Sequence, residues 1–149
     1  VKETIFALRR WLFALLALGL MGLGTELILL EHYEELWMRV PLVAIGLGLA
    51  ALLAVAVVGT PVTLRVFQLV MASIVALGGI GVALHYQGSA EFQREMDPTL
   101  SGWPLAWKVL HMKAPPTIAP GALAQLGLLG LIATYGHPAR IRTSSSTGD

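Results

Sequence analysis

The sequence predicts an all-α integral membrane protein: four transmembrane helices in a bundle, with a long outer-side loop containing one or two short interfacial helices. Three observations carry this. The 149 residues are 56% hydrophobic and only 13% charged, against about 25% charged in a soluble domain, and the mean hydropathy is +0.73. Too few polar groups exist to coat a globule, so a bilayer is the natural solvent. The apolar residues fall into four runs long enough to cross about 30 Å of hydrocarbon at 1.5 Å per residue. The gaps between runs carry Pro, Gly and clustered charge. The length suits one membrane domain over residues 1–149.

Residues 1–10 are a short amphipathic lead-in with Lys2, Arg9 and Arg10. The first span, 11–30, is free of charge until Glu26, and it has no small-residue cleavage site, so it reads as a retained helix. A tight polar turn with Glu31, Glu34 and Glu35 follows. Pro41 is expected to open the second span, 40–58, where its missing N–H costs nothing. Thr60 caps the third span, 62–86, with Pro61 at its first position. The polar segment 87–117 is expected to fold as a helix capped by Ser89 and broken at Asp97-Pro98, then a second helix capped by Ser101. On that second helix Trp103, Trp107 and Leu110 share a face, with Lys108 and His111 off it, an arrangement suited to a lid packed on its own bundle or to an interface with lipid or a partner. Pro115, Pro116 and Thr117 set up the fourth span, 118–135, which Gly136 and Pro138 end. The tail, 137–149, is polar and rich in small residues.

Lys2, Arg9, Arg10, Arg65, Arg140 and Arg142 fall on one side of this topology, and Arg39, Arg94, Lys108 and Lys113 on the other. The positive-inside rule then places both termini in the cytoplasm, and a bacterial inner membrane fits the bias. Trp37, Tyr33, Tyr86, Trp103 and Trp107 form an outer aromatic belt, and Trp11 and Tyr135 an inner one.

Candidate functional residues are few. The first span contains Gly19, Gly22 and Glu26, and the third repeats the spacing with Gly78, Gly81 and His85. Positions i, i+3 and i+7 share a helical face, and small residues let membrane helices approach closely. An intramembrane carboxylate is costly and calls for a partner. Glu26 and His85 are therefore expected to pair at the outer mouth. Gly127 and Gly130 give the fourth span a similar packing stripe.

No intrinsic cofactor is expected. A haem or chlorophyll-type pigment, if held, would use His85 in its glycine-rich run, with His32 or His111 as the second ligand. No HExxH or clustered His/carboxylate spacing suggests a metal. There is no cysteine. That excludes disulfides and thiol redox chemistry, and with them the four-helix disulfide-forming or quinone-reducing oxidoreductases that share the helix count. A net charge of +1 gives no case for nucleic acid. No catalytic motif is present, so the chain is not expected to be an enzyme. The leading expectation is a small accessory or structural subunit of a larger membrane complex, such as a respiratory or photosynthetic electron-transfer complex. Its partners would be the bilayer and other membrane subunits. The alternative is an independent binding protein or carrier with an outer-mouth site built from Glu26 and His85.

Overall fold

The computed structural model describes residues 2–112 and 118–141. Lys113, Pro115, Pro116 and Thr117, and the tail from Arg142 onward, lie outside the described residues. Six helices follow in order: α1 (Lys2–Leu29), α2 (Leu36–Val57), α3 (Pro61–Met96), α4 (Gly102–Leu110), α5 (Ile118–Ala133) and the single turn α6 (Pro138–Ile141). The described residues contain no strand. Helices α1, α2 and α3 are long and apolar enough to cross a membrane, while α5 is apolar but has 16 residues.

Local chemistry explains most boundaries. Thr60 accepts from the Thr63 N–H, and the Thr63 hydroxyl accepts in turn from the Thr60 N–H, so α3 opens with a reciprocal capping box and Pro61 behind it. Helix α1 ends differently. The His32 N–H reaches back to the Leu27 carbonyl and the Glu31 N–H to that of Ile28. This is a Schellman turn, with Glu31 in the left-handed position at φ 54° where glycine is usual. Asp97 takes the backbone N–H and hydroxyl of Thr99 and stops α3 before Pro98.

Three expected boundaries are corrected. Residues 1–10 were expected as a separate lead-in, but from Lys2 they belong to α1, since nothing there breaks the helix. Helix α2 begins at Leu36, five residues before Pro41; the proline, near the helix start, removes only one backbone bond. The third correction matters most. Gly88 and Ser89 do not interrupt α3, which runs 36 residues, about 54 Å at 1.5 Å per residue. One glycine costs a helix only about 1 kcal/mol, and α4 packs across this region.

Helices α3 and α5 form the most extensive contact, and α2 and α5 each also touch α1, leaving α1 and α3 on the diagonal. Their side chains meet at the axis, with Phe13 edge-on to Phe67 at 5.9 Å. Leu16, Leu20, Phe67, Met71 and Ile74 fill the centre and are almost fully buried. In lipid, where the hydrophobic effect does not drive helices together, close packing of this kind holds them. Glycines set its closeness. A Cβ on Gly127 would meet the Met71 carbonyl at 2.8 Å, and one on Gly78 the Ala124 nitrogen at 2.6 Å.

Candidate functional site

The helix levels locate the two ends of the bundle. Gly19 faces Leu126 and Leu16 faces Gly130, so α1 and α5 run antiparallel. Gly81 faces Pro120, so the first residue of α5 stands only a few positions from His85. The bundle therefore ends near His85, where α1 also stops and α2 starts. The remainder of α3, about twelve residues, projects roughly 18 Å beyond that mouth.

Helix α4 turns back along this projection. Leu105 and Val109 are buried against Ala90, with Tyr86 and Leu100 beside them. The face expected to carry Trp103, Trp107 and Leu110 is thereby turned outward, and the two tryptophans are 70% and 53% exposed. His111, expected off this face, is on it. Its ring stacks on Trp107 with centroids 3.9 Å apart, and Nδ1 lies 2.9 Å from the Trp107 carbonyl. The spacing 107 to 111 is itself i, i+4, which carries the row of rings on. Phe92 and Met96 of α3 are also exposed on the hairpin.

At the mouth, the residues expected to pair part company. Glu26 is exposed and, among the described residues, makes no hydrogen bond to His85. It lines a groove of about 450 Å³ between α1 and α5 with Leu15, Gly19, Leu23, Ala122 and Gln125. Counting along the helix from the Gly19–Leu126 contact puts Glu26 level with Ala119, and Gln125 roughly 9 Å deeper. His85 instead faces His32. Their ring centroids are 6.4 Å apart and their planes 28° from parallel. The rings that hydrogen-bond to protein within the described residues are those of His111 and His137. His32 and His85 have one another.

The glycine stripes do look inward, but toward α5 and not toward each other. Gly19 is covered by Leu126, Gly78 by Ala124 and Gly81 by Pro120. Gly127 and Gly130 close the contact from the α5 side against Met71, Val75 and Leu16. Gly22 alone of the six has open space where a side chain would stand. The glycine surface against which a flat macrocycle, if held, would have to lie is occupied at Gly78 and Gly81 by α5.

The opposite end holds residues that sequence reasoning passed over. Arg9 is buried, and its guanidinium donates to the carbonyls of Ala133, Tyr135 and Gly136. The first is the last residue of α5 and the other two belong to the turn that follows, so the guanidinium sits at the C-terminus of α5, where a cation is favoured. Gln68 donates to Thr134 Oγ1 at 3.0 Å, tying α3 to the same point. His137 lies beside Phe13, and its Nδ1 accepts the Ala139 N–H. Burial, and secondarily the Arg9 charge, hold His137 below the usual imidazole range. Among the described residues no buried polar side-chain atom lacks a partner, and no three His, Asp or Glu converge as a metal cage would require. Comparison with protein families, with characterised sequences and with solved structures finds no match to this chain.

Proposed function

We propose that the protein is a small, non-catalytic, polytopic subunit of a larger membrane complex, and that it docks a neighbour through the α3–α4 hairpin. One observation carries this reading. The hairpin stands clear of the apolar bundle, yet Trp103, Trp107 and Leu110 remain exposed on it. Exposed aromatic clusters rimmed by polar residues mark protein contacts, and tryptophan is enriched where such contacts are strongest. Glu91, Arg94, Glu95 and Lys108 are exposed on the same hairpin.

In this reading α5 is the fourth span. Its 16 residues cover about 24 Å, and Arg9 satisfies the carbonyls of the following turn so that the bundle is completed at that end. Both termini are cytoplasmic, and the hairpin is on the outer side of a bacterial inner membrane. An electron-transfer complex is a suitable host, since small helical subunits commonly flank cofactor-bearing ones. The alternative, an independent binder or carrier, now draws its support from the His32–His85 pair and not from Glu26.

The test is purification of the native protein in a mild detergent, beside a Trp103→Ser/Trp107→Ser variant. Other membrane subunits are expected to co-purify with the wild type. The double variant is expected to keep its helicity and melting temperature, because both rings are exposed, and to lose those subunits. A wild-type protein that runs alone, or a variant that retains the same neighbours, counts against the proposal.

A further inference from the structure

We infer that His32 and His85 form a binding site for a divalent transition-metal ion of the zinc, copper or nickel class, at the mouth of the bundle. The inference stands whether or not a partner docks on the hairpin. Imidazole suits these ions. A metal–nitrogen bond of about 2.0–2.1 Å on each side, plus roughly 1.1 Å from ring nitrogen to centroid, sets two ligating rings about 5 Å apart for nitrogens at a tetrahedral angle and about 6.4 Å apart for nitrogens opposite one another. The observed separation is 6.4 Å. The two rings come from the turn after α1 and from α3, helices on the diagonal of the bundle, so only the fold brings them together.

A second observation points the same way. His32 is aimed by the Schellman turn, and that turn holds Glu31 at φ 54°. A residue with a side chain is disfavoured there relative to glycine. What the turn fixes here is the backbone of the residue that meets His85. The sequence repeats one dipeptide at this level: His32-Tyr33 in the turn after α1 and His85-Tyr86 within α3.

The pair supplies two ligands. Water, or a carboxylate brought by a partner, completes the shell, as in sites that keep open positions. A free ion fits better than haem, because α5 already covers Gly78 and Gly81, where a macrocycle would have to lie. Bound metal would join the α1–α2 turn to α3 at the base of the hairpin, and so stiffen the platform from which the hairpin projects.

The experiment uses tag-free full-length protein in detergent, stripped with chelator and titrated with Cu²⁺ and Zn²⁺. One Cu²⁺ per chain is expected, with hyperfine splitting from two imidazole nitrogens in the electron paramagnetic resonance spectrum, and Zn²⁺ is expected to raise the melting temperature. His32→Gln and His85→Gln should each weaken binding about tenfold or more, since even outer-shell changes at metal sites cost 10–100-fold. They should also abolish the zinc-dependent shift while leaving the metal-free melting temperature near wild type. His111→Gln should change nothing. Failure to bind, a spectrum without two nitrogens, or unchanged binding in either variant overturns the site. A Soret band in the protein as isolated overturns the preference for a free ion.

Discussion

Arg9 and Arg10 show how far a residue's role can differ from its neighbour's. They are adjacent, and both read as positive charge at the edge of a span. Arg9 alone turns inward and binds three carbonyls, while Arg10 is exposed. Sequence holds no signal for this, because the acceptors are more than 120 positions away along the chain. Hydrogen bonds to a charged group contribute about 1.5–3 kcal/mol, so Arg9→Ala should lower stability in detergent by that order and Arg10→Ala by far less. Unfolding titrations of the two variants check this. His137, against Arg9 and Phe13, gives a pH dependence. Its folded value is depressed by burial first and by Arg9 second. A depressed group favours the neutral form in the fold, so its contribution is complete above the unfolded value of about 6.5. The contribution is lost as pH falls through the lower folded value. The melting temperature should therefore drop on acidification below neutrality, and part of that drop should vanish in His137→Gln.

At the scale of elements, the glycines separate packing from coincidence. Six were expected to line helix contacts, and five do. Gly127→Ala would drive a methyl group into the backbone of α3 at Met71 and Val75, with no flexible side chain there to yield. Overpacking of this kind costs about 1–3 kcal/mol. Gly22→Ala meets nothing and removes a poor helix former, so it should be neutral or stabilising by up to about 1 kcal/mol. Equal destabilisation of both variants would contradict the packing described. The glycine spacing was readable in the sequence because one helical face imposes it. Which helix each stripe would meet was not, because Glu26 and His85 at the stripe ends suggested one another, while α5, without a charge, advertised no partner. The unbroken α3 was hidden for a similar reason. Gly88-Ser89 has the composition of a break, and only the packing of Leu105 and Val109 over Ala90 makes the continuous helix the better structure.

The whole molecule is an apolar bundle with a polar hairpin on one end, and most of that outline follows from composition and punctuation. The helical class and the three helices long and apolar enough to span were legible because a bilayer leaves the backbone no alternative to helix over about 20 apolar residues. The fourth helix is the test of the topology. If α5 crosses, the α2–α3 turn and the tail share one side and the hairpin tip lies on the other. The lack of cysteine makes this measurable without background. Single cysteines replace Thr60 in the α2–α3 turn, Thr99 at the hairpin tip and Ser145 in the tail, and intact cells are treated with a membrane-impermeant maleimide. Labelling is expected at position 99 alone, with positions 60 and 145 reacting only after the membrane is opened. Labelling at 60 and 145 but not at 99 would invert the orientation and keep four spans. Labelling at 99 and 145 together would mean that α5 does not cross. In that case Arg9 could no longer reach the end of α5 from the opposite membrane face, and Arg9→Ala would have no effect on stability, so the two measurements constrain each other.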